Sequence, residues 1–348
     1  MCMAERKQYI IRNASPTSSD VARKAGVSQA AVSYVFNGRQ NRHVSTETRE
    51  KILQAAQELG YHAHPSARSL RKGQSDEICC IINAPPSFFS YKLYLSLQQQ
   101  IVVHGYIPVF YTSPDTPTPR WRETLLGMFA RRPAGLIMSQ LTDTADDVAL
   151  ARQMGIEHIV LISIRPVEHV ATIIFPGWPV GHVAAQHLLE RGHSHLGIVR
   201  PSDPLLEEIF QQRLEGMRSA LTGRADARLD GLSLVPTLTG ARSLVTASLT
   251  CADHPTGIYA FNDEFAFYLL KALTERDIGV PEEIALVGTD DLFTCELMRP
   301  SLTSIRFDDV DVIGKRAVDL LVGMRGGQPL SEQHSYEIVP QLIQREST

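Results

Sequence analysis

Gln29, Ala30, Ser33, Tyr34 and Asn37 share one side of the stretch "SQAAVSYVFN" when it is wound at roughly 100° per residue, while Ala31, Val32, Val35 and Phe36 share the other. Amides, hydroxyls and a methyl on a narrow face are small enough to enter a DNA groove and polar enough to read base edges there. The neighbouring residues supply the frame. Ser18 or Ser19 is placed to cap a first helix over Asp20–Ala25, Gly26 to end it, and Ser28 to cap the second helix, which runs to about Asn37. The apolar half of the second helix then packs on Val21, Ala22 and Ala25, which reads as a helix-turn-helix. A plain helical hairpin is the other reading of this stretch alone. "VSTETREKILQAAQELGY" adds a third helix with Ile52, Leu53, Ala56 and Leu59 inward and Arg49 and Lys51 free for phosphates.

The charge distribution points the same way. Residues 1–72 hold 12 Lys and Arg against 5 Asp and Glu, which leaves 22 against 33 in the rest of the 348-residue chain. A basic head on an acidic body is the footprint of a chain whose N-terminal part meets a polyanion. No apolar run reaches the length of a membrane span, and "MCMAERKQYIIRNASP" lacks the apolar core of a secretory signal, so a cytoplasmic protein with no membrane partner is expected. Five cysteines form no CxxC pair, which argues for buried reduced thiols over a disulfide framework or zinc ribbon.

Beyond residue 76, short apolar runs such as "EICCII", "AGLIM", "HIVLIS", "HLGIV" and "IALVG" alternate with helical patterns, including Leu93–Val103, Val180–Leu189 and Glu264–Glu275. That alternation implies parallel sheets covered on both faces, and the length implies two such layers. His187, His193 and His195 have no Cys or carboxylate at ligand spacing, so no metal and no cofactor is expected. Glu207–Glu208 and Asp290–Asp291 are chain neighbours, which seldom face each other as an acid/base pair. With no GxSxG, HExxH or P-loop pattern, an enzyme is not expected.

"SSDVARKAGVSQAAVSYVFN", "VSTETREKI", "ELGY" and "ARSLR" occur in the order and spacing of the DNA-binding head of the lac repressor (LacI) family, which this chain resembles. The resemblance continues through "HLLERGH", "RLEGM", "FNDEFA", "VPEEIALVGTDD", "PSLTSIR" and "REST", covering about 17–348. It implies an α/β protein with an N-terminal all-α helix-turn-helix head at 17–64 and a hinge helix and linker at 65–75. An effector-binding and dimerisation domain follows at 76–348. That domain would hold two Rossmann-like parallel-sheet subdomains of periplasmic-binding-protein type, 76–175 with 306–329 and 176–305 with 330–348.

Residue by residue, the resemblance puts Gln29, Ala30 and Tyr34 at the positions that choose bases, with Ser28, Ser33, Asn37 and Arg49 on the same DNA-facing side. Tyr34 stands where many members have Arg, so a bidentate contact to guanine is lost there; packing on the sugar–phosphate backbone is its other reading. Arg39, Arg42 and His43 lie in a loop about two residues longer than is usual for the family, either a phosphate-binding insert or a solvated basic loop. Pro65–Leu70 is too short to hold a helix alone. It resembles the hinge that orders when two copies meet over DNA, with Ala67 and Arg68 at the DNA and Leu70 wedged into the minor groove. A plain linker is the alternative.

In the body, the resemblance carries an effector-contacting role onto Arg213 and polar cleft positions onto Asn262 and Asp290. Phe88 and Phe89 fall near the family's aromatic pair. "GWPVG" replaces the usual Asp-Asn with Gly177 and Trp178, and Arg165 is retained in "LISIRPV" without its Asp. Loss of sugar-holding carboxylates makes a standard sugar ligand less secure, and Trp178 and the Phe pair are read either as ligand-stacking or as core residues. The expected protein is a homodimeric, operator-specific transcriptional regulator, most often a repressor in this family. Its partners would be double-stranded operator DNA and a small-molecule effector, a sugar or another metabolite. The absence of an apolar-repeat tail after "QREST" makes a dimer the default. A solute-binding protein sharing the body fold is the alternative, but it calls for a signal peptide and no basic head.

Overall fold

The computed structural model describes residues 16–37, 44–61, 74–85, 87–112, 119–140, 145–307, 310–328 and 335–348, in two compact units divided between Ser75 and Asp76. The described residues of the head form three helices, α1 (Ser18–Ala25), α2 (Gln29–Asn37) and α3 (Thr46–Leu59). Thr17, not Ser18 or Ser19, caps α1. Its hydroxyl accepts from the Asp20 amide while the Asp20 carboxylate takes the Thr17 N–H at 3.0 Å, a reciprocal box that satisfies two donors the helix leaves open. Gly26 ends α1 at φ +68°, a conformation that strains any residue with a Cβ. Ser28 and Ser45 cap α2 and α3. Val21, Val32 and Ile52 are fully buried between the helices, each contributing about 1.5–3 kcal/mol by the apolar surface it removes from water. Leu53 does not join them. It is 42% exposed, because the third helix turns Ile52, Ala55 and Ala56 inward instead.

The described residues of the body form two six-stranded sheets. The first takes β1 (Glu77–Asn83), β2 (Ile107–Thr112), β3 (Gly135–Gln140), β4 (Ile159–Ser163) and β5 (Ala171–Ile174), joined by α4 (Phe88–Val103), α5 (Pro119–Ala130) and α6 (Ala145–Gln153). The second takes β6 (His195–Pro201), β7 (Arg228–Leu234), β8 (Gly257–Tyr259), β9 (Ala285–Thr289) and β10 (Thr303–Arg306). Its helices are α7 (Gly177–Glu190), α8 (Glu207–Ala220), α9 (Leu238–Ser248) and α10 (Asp263–Thr274). Interior strands such as "IVLIS" and "ALVGT" are buried at every residue, the near-continuous apolar pattern of a parallel sheet covered on both sides. Both sheets share one spatial order, with the second strand outside the first and the third on its other side, so each has a point where the chain reverses its direction of travel between the first and third strands.

After β10 the chain forms α11 (Val310–Arg325), which packs on α4 of the first layer. There a methyl at Gly314 would land on the Ser96 hydroxyl. The chain then adds one edge strand to each sheet. β11 (Ser335–Glu337) pairs parallel to β5, and β12 (Gln341–Ile343) pairs antiparallel to β10. This corrects the assignment of the whole of 330–348 to the second subdomain, since Ser335–Glu337 hydrogen-bonds in the first sheet. The closing residues are held in the second layer. Ser347 Oγ donates to the Leu286 carbonyl at 2.6 Å, and Thr348 Oγ1 lies 2.9 Å from both Thr303 Oγ1 and His187 Nε2. No described helix is long and apolar enough to cross a membrane.

Candidate functional sites

In the head, capping and the Val21–Val32–Ile52 contacts fix the rotation of α2, and that rotation decides which residues face out. Ser28, Gln29 and Ala30 are exposed, Ser33 and Tyr34 are half-buried, and Asn37 closes the helix. Gln29 Nε2 donates to Ser18 Oγ at 2.9 Å, which ties the start of α2 to the start of α1. Arg49 is exposed on α3, whereas Lys51 pairs with Glu47 at 2.7 Å. Phe36 packs edge-on against Tyr61, ring centroids 5.4 Å apart, and closes the far end of the core. The face can offer hydrogen bonds from short side chains around one alanine. Ala67, Arg68, Leu70 and the loop residues Arg39, Arg42 and His43 lie outside the described residues.

In the body, a cavity of about 200 Å³ opens where the carboxyl ends of both sheets meet. Its walls come from the residues that follow β1 and β6 and from the ends of β3, β4, β8 and β9, which is where open α/β sheets place their ligands. Four sequence-expected residues, Phe89, Arg213, Asn262 and Asp290, line it. Asn262 also caps α10, accepting from the Phe265 amide at 3.0 Å. Arg213 is 4% exposed, lies 4.4 Å over the Phe261 ring, and donates from Nη1 to the Tyr259 hydroxyl and the Phe261 carbonyl at 3.0 and 2.6 Å. Phe261, Asp290 and Asp291 all have positive φ, so three non-glycine residues in the left-handed region cluster at this end of the second sheet.

Carboxylates crowd the same spot, Asp263 buried and Glu264, Asp290 and Asp291 half-buried. Burial pushes Asp290 well up from the usual carboxylate range; the charges of Asp263 and Glu264 add to this and Arg213 opposes it. Asp263 is fully buried and is also pushed up, to about 6, by burial and by Asp291, although Ser304, the Leu292 amide and the Cys295 thiol all donate to it. Gly288 must be glycine, because a methyl there would strike the Asp263 carboxylate.

Three expected residues lie elsewhere. Trp178 does not reach the cavity. It is 44% exposed and stacks on His182 one turn along α7, with rings 5.0 Å apart, so neither stacking on a ligand nor core packing describes it. Arg165, in the first lobe, pairs with Glu208 at the start of α8 in the second. Phe88 packs against Phe293 at 5.6 Å, and its backbone amide donates to Glu264 Oε1 at 2.9 Å. Arg165 and Phe88 therefore bridge the two lobes instead of lining the space between them.

Sequence reasoning missed Asp203, Glu264, Ser139, Ser163, Phe175 and Phe307, all of which line the cavity. The two serines end strands, a position that marks them in an α/β sheet once strand order is known. Phe175 and Phe307 sit where the chain passes between lobes and pack edge-on at 5.4 Å, with Phe89 against both. They look like ordinary core residues in the sequence.

Comparison with known proteins agrees with this layout. Residues 17–64 match the model of bacterial regulatory proteins, lacI family, and residues 185–348 match a periplasmic binding protein-like domain. The HTH-type transcriptional repressor PurR of Haemophilus influenzae is 27% identical over 341 residues, covering 95% of this chain and 98% of that protein. The ribose operon repressor of Escherichia coli is 28% identical, covering 95% and 99%. Among solved structures, a transcriptional regulator from Silicibacter pomeroyi superposes with a TM-score of 0.81 at 23% identity, covering 95% of this chain and 99% of its own. The lac repressor dimer bound to operator and the anti-inducer ONPF gives 0.80 at 24% identity, covering 95% and 98%.

Proposed function

Starting from a chain that belongs to the lacI family of bacterial regulatory proteins, we propose that it is a transcriptional regulator, a repressor by the habit of its relatives, that binds an operator as a cytoplasmic homodimer under the control of a small molecule in the body cavity. The observation that carries this reading is the coexistence of an outward recognition face, Gln29, Ala30, Ser33 and Tyr34, with an enclosed cavity at the strand ends of a separate two-lobed body. The lac repressor dimer bound to operator and the anti-inducer ONPF supports the same combination. A solute-binding protein has use for the body alone; the helix-turn-helix head speaks against it.

The dimer finds support in exposed apolar surface. On α4, Tyr91, Leu95 and Val102 are 56%, 43% and 56% exposed at helical spacing, and in the second lobe Phe293 and Leu297 are 62% and 69% exposed. Two heads are needed because one reads only a half-site. Closure of the lobes is the two-state element that a ligand can bias, through the Arg165–Glu208 pair, the Phe88–Glu264 hydrogen bond and the Phe88–Phe293 contact.

The test is binding of the full chain to duplex DNA by fluorescence anisotropy across a salt series, after selecting its preferred site from a random library. A palindromic site bound with a steep salt dependence is expected. Binding to no duplex at any salt would defeat the assignment. In the same assay Leu70→Ala is expected to weaken the selected site far more than random duplex, because the wedge acts only where the hinge is seated; equal loss on both would remove that role.

A further inference from the structure

The charges that line the cavity are unevenly divided between the lobes. Asp203 after β6, Glu264 on α10 and Asp290 after β9 all come from the second lobe, while the described residues of the first lobe bring no charged side chain to the lining. The first lobe contributes hydrophobes instead, among them Ile82, Leu93, Ile162 and Phe89, and its Ser87 and Ser90 hydroxyls are engaged with each other and with the Pro85 carbonyl. Phe175 and Phe307, where the chain passes between lobes, pack on Phe89 and extend that wall.

Three carboxylates thus share the lining with a single guanidinium, and that guanidinium is held by its own lobe. Arg213 stacks over the Phe261 ring, donates from Nη1 to the Tyr259 hydroxyl and the Phe261 carbonyl, and makes no ion pair with a described carboxylate. Each carboxylate keeps oxygen to spare. Asp203 Oδ1 accepts the Leu205 amide and Glu264 Oε1 the Phe88 amide, both at 2.9 Å, whereas no donor among the described residues reaches the Asp290 carboxylate. Burial and the like charges of Asp263 and Glu264 disfavour charge on Asp290, and Arg213 favours it. With Asp290 in either state, the carboxylates of the lining outnumber its cation.

We propose that the effector is a compact primary amine, its ammonium among Asp203, Glu264 and Asp290 and its apolar or aromatic body against Phe89, Phe175 and Phe307. This rests on the reading of the cavity as the effector site. An alkylammonium is charged at neutral pH and has three N–H donors for the spare carboxylate oxygens, and its polarised methylenes suit the faces of phenyl rings. With its head on the second lobe and its body on the first, such a molecule ties the lobes together, and it does so on the same Glu264 that already accepts the Phe88 amide across them. A sugar, polar all round, would set hydroxyls against phenyl rings and bring no positive charge to the carboxylates.

The experiment follows thermal unfolding of the full chain with two series that hold the body fixed and change the head: phenethylamine, phenylethanol and phenylacetate, then isoamylamine, isoamyl alcohol and isovalerate, with ribose alongside. At least one amine is expected to raise the Tm by several degrees, more than its alcohol and far more than its acid, and to change the anisotropy midpoint for the selected duplex. Glu264→Gln and Asp203→Asn keep an oxygen for the Phe88 and Leu205 amides and lose the charge. Each is expected to leave the ligand-free Tm nearly unchanged, and the two together to erase the amine's advantage over its alcohol. An alcohol, an acid or ribose that matches the amines, no shift with either amine, or an advantage that survives in the double variant would overturn the ligand class while leaving the regulatory reading intact. Failure of duplex binding in the ligand-free chain and with every ligand would instead strike the regulatory reading.

Discussion

Asp263 shows how much one side chain can hold together. Its carboxylate takes donors from β10, from the segment after β9 and from Cys295, and so fixes the backbone that presents Asp290 to the cavity. Its pKa is raised from 3.8 to about 6 in the folded chain, so between those values the folded state binds the extra proton. Stability from this group is therefore greatest below about pH 4 and falls as pH rises through about 6, by on the order of 3 kcal/mol. Urea titrations at stepped pH should show Asp263→Asn losing that decline relative to the unaltered chain; parallel slopes would remove the assignment. On the head, Tyr34→Ala should weaken the selected duplex by about 1–3 kcal/mol, roughly 5- to 150-fold, and leave random duplex nearly unchanged. If Tyr34 only packs on the sugar–phosphate backbone, both affinities fall together.

At the scale of elements, the crossing of α7 and α8 positions the cavity's cation. A methyl at Gly181 would land on the Arg213 carbonyl oxygen, and one at Gly216 on the Trp178 carbonyl oxygen, so the two helices meet backbone to backbone. Gly216→Ala should cost about 1–3 kcal/mol or more in urea unfolding, because neither main chain can yield without displacing the other. This contact also explains what the sequence made legible. Arg213, Asn262 and Asp290 were recoverable because motifs mark them, the first on α8 and the other two just past β8 and β9, and the parallel sheets were recoverable from their apolar runs. Trp178 was not. The glycines at 177 and 181 flanking it are there for helix packing, which turns its ring outward onto His182. Thr17 was missed as a cap because adjacent serines offer the same chemistry, and only the Asp20 box distinguishes them. The three residues of β11 carry too little pattern to reveal which sheet they join.

For the whole molecule, the exposed face of α4 is the sharpest point of attack. Leu95→Glu alters a side chain already 43% exposed, so the body should keep its fold and its Tm. Light scattering should then report a monomer, and affinity for the selected palindrome should drop toward that for random duplex, because each released head reads half a site. A dimer of unchanged affinity would move the interface away from α4.

The chain passes between the sheets after β5, after β10 and again between β11 and β12. Neither lobe is thus a continuous piece of polypeptide, and no single cut can free one intact. A stop codon in place of the one for Ser335 would strip an edge strand from both sheets together, so a nonsense mutation there should damage the entire body.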